Sequence, residues 1–246
     1  MSPTSRGILE AEGLTKAFGG LLAVHAVDLT VAQQEIVGLI GPNGAGKTTF
    51  FALLSGFLRP DAGHVRLRGQ DITGQRPHQI ARRGLVRTFQ VVQPFPRMTV
   101  LENAMMGCFT RERSERTARQ EAHAVLRRVG LDSRATVLAG ALNLADRKRL
   151  EVARALATRP EVLLLDEVMA GLNATEVGRV IALIRGLADE GITIVLIEHV
   201  MRAVMSVCSR ILVLHHGEKI AEGTPDQVAG DPRVVEAYLG ENLLLA

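Results

Sequence analysis

The spacing of hydrophobic residues changes along the chain and divides it into segments of different character. In residues 8–29, apolar and polar positions alternate around Gly19-Gly20, which predicts antiparallel strands joined by a turn. Residues 65–68 alternate in the same way. Between residues 99 and 140 the apolar spacing becomes helical. The two helices expected there span residues 100–106 and 112–129. The pattern therefore predicts an antiparallel sheet and a helical insert.

Uninterrupted apolar runs indicate a second kind of strand, because a parallel strand buried on both faces needs such a run. These runs occupy residues 35–40, 161–165 and 191–197. The helices expected around them span residues 48–58, 79–83, 143–158, 175–189 and 200–207. Residues 85–90 are expected to form a strand that leads into a loop, residues 210–214 and 218–221 a terminal hairpin, and residues 236–239 a last short helix. Strands that alternate with helices predict an α/β fold.

One domain is expected, because 246 residues are enough for an α/β core with a subdomain. Residues 1–90 would hold the antiparallel strands and the first part of the core. Residues 91–158 would form a helical subdomain. Residues 159–246 would complete the core and add the hairpin and the last helix.

The sequence GPNGAGKTT satisfies the pattern G-x-x-x-x-G-K-[ST] between a strand-like and a helix-like segment. Its glycines let backbone N–H groups converge on a phosphate, and the positive end of the helix dipole points there too. Lys47 would bridge the β- and γ-phosphates of a nucleotide, and the Thr48 hydroxyl would coordinate Mg²⁺. The alternative is a glycine-rich turn with a chance lysine. The candidate nucleotide-binding residues are Gly41, Pro42, Asn43, Gly44, Ala45, Gly46, Lys47, Thr48 and Thr49.

The apolar run at residues 162–165 ends in two adjacent acids, Asp166 and Glu167. A buried parallel strand ends in this way when its carboxyl end opens onto a site. In a P-loop ATPase this is the Walker B position, where Asp166 would hold Mg²⁺, directly or through water, and Glu167 would polarise the attacking water. The alternative is a strand that ends at the surface with two solvated acids.

Composition narrows the choice of partners. The chain is 47% hydrophobic and 22% charged with a net charge of +3, which is ordinary for a soluble globular protein. One tyrosine and no tryptophan offer little surface for stacked bases, so nucleic acid is not an expected partner.

Cys108 and Cys208 lack metal-site spacing and are expected to be free thiols in a reducing cytosol. No apolar stretch reaches the about 18 to 20 residues of a membrane span, so a chain that is neither secreted nor membrane-spanning is expected.

The order of the motifs resembles the ATP-binding subunit of an ABC transporter over nearly the whole chain. It runs from the P-loop through Gln90 after a strand, the helical insert, an arginine-rich helix start and the Walker B acids to AGLN and His199. FGGLLAV, RTFQ, IEHVM and AEGTP followed by AYLGE are most similar to the ATPases of branched-chain amino acid importers, the LivG-like group. The export ATPase for lipopolysaccharide shares the tail pattern.

The resemblance assigns roles to four further residues. Phe18 would stack on the adenine and Val24 would touch the nucleotide. Gln90 would sense Mg²⁺ and relay the nucleotide state to the helical insert, which would grip the membrane partner. His199 would contact the γ-phosphate. The alternatives are an ordinary core aromatic for Phe18, and a capping or surface histidine for His199.

One segment departs from the resemblance. The family's signature, typically LSGGQ, aligns with Leu142, Asn143, Leu144, Ala145 and Asp146, so both glycines and the serine are replaced. Asn143 is a good N-cap and Asp146 is well placed against the helix dipole, so the segment could be only a capped helix. Alternatively its backbone N–H groups face a partner's γ-phosphate, with the Asn143 amide as donor in place of the serine. Val168 is a second departure, since the family usually has proline there.

The resemblance implies that two ATPase domains face each other head to tail, so that each ATP lies between one P-loop and the other signature. A second ATPase subunit, either a paralogue or a second copy, and an integral membrane permease would be partners. A periplasmic or extracellular binding protein would act indirectly, and the chain would lie at the cytoplasmic face of the inner membrane. The implied function is hydrolysis of ATP with Mg²⁺ to drive uptake of branched-chain or related amino acids. The alternatives are a lipopolysaccharide-export ATPase, a soluble ABC ATPase that acts on DNA or ribosomes, and a regulatory subunit that hydrolyses little.

Overall fold

A computed structural model describes residues 7–90 and 93–244, with side chains up to residue 238. The first six residues, the last two and the predicted boundary at residue 91 lie outside the described part. The strands are β1 (Leu9–Phe18), β2 (Leu21–Val31), β3 (Ile36–Ile40), β4 (Ala62–Leu67), β5 (Gln70–Asp71), β6 (Leu85–Arg87), β7 (Val162–Asp166), β8 (Thr193–Ile197), β9 (Arg210–His215) and β10 (Glu218–Gly223). The helices are α1 (Lys47–Leu54), α2 (Pro77–Arg82), α3 (Val100–Cys108), α4 (Glu115–Arg128), α5 (Leu144–Leu156), α6 (Ala174–Asp189), α7 (Met201–Val207), α8 (Pro225–Ala229) and α9 (Pro232–Leu244).

The central sheet has the strand order β10-β9-β3-β8-β7-β6. Its strands β9, β3, β8, β7 and β6 pair in parallel, and β10 is antiparallel to β9. Every residue of β3, β7 and β8 is buried, which explains why these strands consist of apolar runs. The predicted α/β fold is confirmed.

The second sheet is antiparallel, with the order β2-β1-β4-β5. Strands β1 and β2 turn at Gly19 and Gly20, as predicted from the alternating pattern. Phe50 and Phe51 of α1 are fully buried in one hydrophobic core with residues of this sheet and of the central sheet. Helix α1 is thereby fixed between the two sheets.

Helices α3, α4 and α5 contribute to a second hydrophobic core on the other face of the central sheet. Helix α5 begins after Asn143, whose side-chain oxygen accepts a hydrogen bond from the Asp146 N–H at 2.8 Å. It ends before Pro160, as predicted, and Arg159 there has a φ of 56°. Cys108 and Cys208 are free and buried. No described helix combines the length and the hydrophobicity that a membrane crossing requires.

Several element boundaries differ from the sequence prediction. The helix expected to reach residue 58 ends at Leu54, because Gly56 follows with a φ of 74°. The strand expected to reach Gln90 ends at Arg87, and the Thr88 N–H makes a last hydrogen bond to the Leu164 carbonyl at 2.9 Å. The last helix is longer than predicted, and α8 was not predicted.

Candidate functional site

The loop between β3 and α1 depends on two glycines with positive φ. Gly41 and Gly46 have φ values of 149° and 99°. A Cβ at Gly41 would lie 2.0 Å from the Leu214 carbonyl oxygen, and one at Gly46 would lie 2.3 Å from the Ala23 carbonyl oxygen. Any larger residue would collide with backbone at both positions, so the sequence fixes the path of the loop locally.

Lys47 is the first residue of α1 and lies inside the curve of the loop. Its Nζ atom donates hydrogen bonds to the carbonyls of Gly41 at 2.6 Å and Pro42 at 2.7 Å. The ammonium group is therefore held beside the backbone that a phosphate would approach.

A cavity of about 490 Å³ lies over this loop. That volume is within the usual range of small-molecule sites, about 300 to 1,000 Å³. Its walls are formed by Phe18, Leu21, Leu22, Ala23, residues 43–49, Gln90, Glu167, His199 and His216. Most of the candidate nucleotide-binding residues therefore share one cavity.

Among the residues predicted to bind the nucleotide, Gly41, Pro42 and Val24 lie outside the walls of this cavity, and the predicted metal ligand Asp166 lies just behind them. Gly41 and Pro42 serve as backbone acceptors for Lys47. Val24 is fully buried in the core, whereas Leu22 and Ala23 reach the cavity. The alternation of β2 turns the Val24 side chain inward, so its expected contact with the nucleotide stays a prediction.

Phe18 lies at the mouth of the cavity with 46% of its surface exposed. The alternative of an ordinary core aromatic is therefore excluded. Lys16 Nζ lies 5.6 Å from the centre of the Phe18 ring. The ring is available for stacking on a planar group at this end of the cavity.

Gln90, Glu167 and His199 form a hydrogen-bonded group. The Gln90 amide donates to Glu167 Oε2 at 2.7 Å, and His199 Nε2 lies 2.8 Å from Glu167 Oε1. The three residues follow β6, β7 and β8, which are neighbours in the central sheet. Because the carboxyl ends of parallel strands meet at one edge, residues far apart in sequence converge there.

Asp166 lies behind this group and is 1% exposed. Its Oδ2 accepts a hydrogen bond from the Arg87 guanidinium at 2.7 Å, whereas its Oδ1 has no hydrogen-bond partner within the described residues. Burial raises the pKa of Asp166, although the Arg87 guanidinium acts in the opposite direction. A buried carboxylate oxygen without a partner, the Thr48 hydroxyl and the Gln90 amide are oxygen donors of the kind that Mg²⁺ takes, so these residues fit that ion.

The segment Asn143 to Asp146 lies outside the cavity. Asn143 and Leu144 are exposed, whereas Ala145 and Asp146 are buried. The Asp146 carboxylate forms ion pairs with Arg149 and with Arg134, the latter at 3.1 Å. Its negative charge is therefore compensated inside the protein. On the outer surface, the Leu144 side chain occupies the space that a glycine would leave open.

Arg87 and His216 lie at the site and were missed in the sequence. Arg87 lies within the RTFQ stretch, but only its long-range ion pair with Asp166 reveals its role. His216 lines the cavity from the tip of the β9–β10 hairpin. His216 and Gly217 have φ values of 48° and 82°, as in a type I′ turn, and a two-residue turn ending in glycine between two strands was the available signal.

Comparison with known proteins places the chain among nucleotide-dependent transport subunits. Residues 24–170 match the family described as ABC transporter, and residues 218–242 match the family described as branched-chain amino acid ATP-binding cassette transporter.

Two curated relatives cover nearly the whole chain. BraF of Pseudomonas aeruginosa, a high-affinity branched-chain amino acid transport ATP-binding protein, is 46% identical over 96% of this chain and 99% of its own. LptB of Acidithiobacillus ferridurans, from a lipopolysaccharide export system, is more distant at 37% identity over 95% of this chain and 97% of its own.

Two solved structures have the same fold. An ATP-binding cassette of an ABC transporter in its ADP conformation superimposes with a TM-score of 0.88 at 32% identity, covering 96% of this chain and 100% of the other. A dimeric cassette bound to ADP and phosphate superimposes with a TM-score of 0.80 at 25% identity, covering 88% of this chain and 98% of the other.

Proposed function

The chain belongs to the ABC transporter family of ATP-binding subunits, and on that premise we propose that it hydrolyses ATP to drive uptake of branched-chain or related amino acids. The observation that supports hydrolysis most directly is the arrangement of Gln90, Glu167 and His199 in the same cavity as Lys47. The similarity of the chain to BraF over nearly its whole length supports branched-chain or related amino acids as the transported solute.

The cavity accommodates ATP along its length. The exposed ring of Phe18 stacks on the adenine at one end. At the other end, the backbone N–H groups of residues 43–49 and the positive end of the α1 dipole face the phosphates. Lys47 turns from the loop carbonyls to the β- and γ-phosphates.

Thr48, Gln90 and Asp166 would hold Mg²⁺, and Asp166 offers its unpartnered Oδ1. When bound, the ion neutralises charge on the phosphate oxygens. Arg87 holds the other carboxylate oxygen of Asp166 at 2.7 Å and so fixes the direction in which Oδ1 points.

Glu167 orients the water that attacks the γ-phosphate. Its two carboxylate oxygens are held by Gln90 and His199, so the group cannot rotate away from the phosphate end of the cavity. His199 also offers its imidazole to the γ-phosphate, and Lys47 stabilises the charge that develops there.

The site is completed by a second ATPase subunit. Asn143 and Leu144 are exposed away from the cavity of their own chain, which supports a helix terminus that faces a nucleotide held by another subunit. In a pair with a paralogue, the site built on Lys47 and Glu167 would be the stronger, and the site completed by the altered signature the weaker. In a pair of identical chains both sites would be weakened.

A groove with exposed apolar side chains supports a membrane permease as the other partner. A cavity of about 360 Å³ lies between the segment before Gln90 and helices α3 and α5. Phe89, Phe95 and Met106 line it and are each more than 40% exposed. Such a groove accepts the apolar face of a short helix. The permease would hold the chain peripherally at the cytoplasmic face of the inner membrane.

The proposal is tested by purifying a tagged chain from its native membranes and identifying what accompanies it. We expect a multi-span permease, a related ATPase and ATP-dependent uptake of branched-chain amino acids by vesicles that contain the complex. Glu167→Gln serves as the hydrolysis control, since it should bind ATP but turn over at least about a hundredfold more slowly. Recovery of lipopolysaccharide-export proteins, ribosomes or DNA, or undiminished hydrolysis by Glu167→Gln, would contradict the proposal.

A further inference from the structure

Helix α5 reaches the hydrolytic group, which is Gln90, Glu167 and His199, through two buried charged residues on its inner face. Lys148 is 6% exposed and its Nζ donates a hydrogen bond to the backbone carbonyl of Glu167 at 2.6 Å. Glu151 lies one turn further along, and its Oε1 accepts a hydrogen bond from the Phe89 N–H at 2.5 Å. Phe89 precedes Gln90. The same helix face therefore binds the backbone at Glu167 and next to Gln90.

A third buried charge, Glu198, closes the cluster from the side of β8. It is 2% exposed, and its Oε1 accepts a hydrogen bond from the Met169 N–H at 2.7 Å. Burial lowers the pKa of Lys148, while the carboxylates of Glu198, Glu151 and Glu167 counteract this effect. Lys148 is thus the cation of a cluster of buried acids.

Such a cluster is a costly way to stabilise a fold, because desolvation of buried charges commonly exceeds their attraction. Each of its three members bonds to the backbone of a residue that belongs to the hydrolytic group or lies within two residues of it. The arrangement is therefore better explained by the position that it gives to Glu167 and Gln90 than by stability.

The backbone of Glu167 needs such support. Its φ is 50°, a left-handed conformation that is strained for any residue with a side chain. Its N–H donates to the Ile197 carbonyl at 2.9 Å, and its carbonyl accepts from Lys148. These two bonds hold the peptide groups on both sides of Glu167, and the strained conformation turns the carboxylate toward Gln90 and His199.

We propose that Lys148 is a positioning residue for ATP hydrolysis: its bond to the Glu167 carbonyl holds the catalytic carboxylate in place from helix α5. The proposal rests on the hydrolytic function proposed above. It makes α5 part of the site of its own chain, in addition to the role of its first residues toward a partner's nucleotide.

The test compares Lys148→Met with wild type in the purified transporter complex. We expect kcat for ATP hydrolysis to fall about tenfold or more, because a displacement of about 1 Å can reduce a rate a hundredfold. The Kd for a fluorescent ATP analogue should stay within about twofold of wild type, since Lys148 does not line the cavity. Lys148→Arg should recover most of kcat because it retains a cationic donor.

Lys219→Met is the matched control. Lys219 also donates to a backbone carbonyl, that of Asp28 at 3.2 Å, but it lies on β10 and not at the site. Its loss should leave kcat unchanged. In a Glu167→Gln background, single-turnover measurements should show no further loss from Lys148→Met, because Lys148 acts through Glu167.

If Lys148→Met does not fold, the double variant Lys148→Met, Glu198→Gln is measured, in which a cation and an acid are removed together and the Met169 N–H keeps an acceptor. A wild-type kcat in the folded variant overturns the proposal. A loss that Lys148→Arg does not recover, or that persists in the Glu167→Gln background, overturns it equally. A wild-type complex without ATPase activity would instead refute the proposed function.

Discussion

At the scale of single residues, the site depends on side chains that lie behind the motifs. Arg87 donates a hydrogen bond to one carboxylate oxygen of Asp166, and the other oxygen has no partner among the described residues and could bind a ligand. Lys148 and the Ile197 carbonyl hold Glu167 in a conformation that costs about 1 to 3 kcal/mol for a residue other than glycine. The motif supplies the reactive groups, and buried neighbours determine their direction.

Glu198 makes stability depend on pH. Burial raises its pKa to about 7 from 4.5. Because the folded state binds this proton more tightly than the unfolded state, the stabilising effect is complete below pH 4.5 and is lost as the pH rises to about 7. We expect Glu198→Gln to remove this dependence. As the pH rises from 5 to 8, the free energy of unfolding of the variant should increase by up to about 3 kcal/mol relative to that of wild type.

Urea unfolding of both proteins at the two pH values measures the effect. Glu236→Gln, a substitution of an exposed glutamate on α9, is the matched control and should follow wild type. Parallel pH profiles for wild type and Glu198→Gln would contradict the prediction.

Local patterns predicted the reactive residues because the chemistry of a P-loop and of a strand ending in two acids is contained in a few consecutive positions. Lys148 and Glu198 were not predicted, since a buried charge on an ordinary helix or strand end has no local signal. The inward direction of the Val24 side chain was not predicted, because the resemblance gave a position in the chain and the pleat of β2 determines the direction.

At the scale of elements, the turn between β9 and β10 forms part of the nucleotide cavity. The Gly217 N–H donates to the Ala45 carbonyl at 3.1 Å, and the Gly217 carbonyl accepts from the His25 N–H at 2.8 Å. These bonds attach the turn to the P-loop and to β2. They place His216 in the wall of the cavity.

Gly217→Ala should weaken ATP binding and lower the free energy of unfolding. A Cβ there would lie 3.0 Å from the Ala23 carbonyl, in addition to the strain of a φ of 82°. Gly69→Ala is the matched control: Gly69 ends a similar turn with a φ of 71°, but a Cβ would meet nothing within 4 Å. We expect Gly217→Ala to cost about 1 to 3 kcal/mol more than Gly69→Ala in chemical unfolding.

ATP titration of the two variants completes the comparison. We expect the Kd for ATP to rise in Gly217→Ala and to stay unchanged in Gly69→Ala. Equal losses in the two variants would show that backbone strain, and not contact with the backbone of β2, limits this turn.

Element boundaries were less predictable than element types. The strand at residues 85–90 stops at Arg87 because, after a last bond from Thr88 to β7, the Phe89 N–H donates to Glu151 of α5 instead of continuing the sheet. Such an ending depends on distant partners, so the apolar pattern alone could not reveal it.

At the scale of the whole molecule, the proposed pairing with a second ATPase subunit gives the chain one half of each of two sites. The P-loop half is complete in residue type, and the half formed by Asn143 to Asp146 lacks the glycines that allow close approach. Leu144 is 48% exposed at the start of α5, where it would meet the partner. The predicted fold and family are confirmed. Both could be predicted because a series of motifs over nearly the whole chain constrains topology more than any single motif does.

Replacing Leu144 and Ala145 by glycine should raise the ATPase rate of the assembled complex several-fold, because backbone N–H groups could then approach the partner's phosphate. The two glycines cost about 1 kcal/mol each in helix stability, so the unfolding free energy should be measured in parallel. Ala153→Gly, deeper in the same helix, is the control for helix destabilisation. An unchanged rate in the complex would mean that the altered signature is a neutral replacement.

The position of β3 in the central sheet has a consequence for biosynthesis. This strand leads into the P-loop, yet its two neighbours are β8 and β9, which end at Ile197 and His215. Synthesis proceeds from the N-terminus at about 5 to 20 residues per second, so β3 waits roughly ten seconds or longer for both partners. Ligands stabilise only the state that binds them. Cellular ATP can therefore assist the folding of this chain only after β9 has been synthesised.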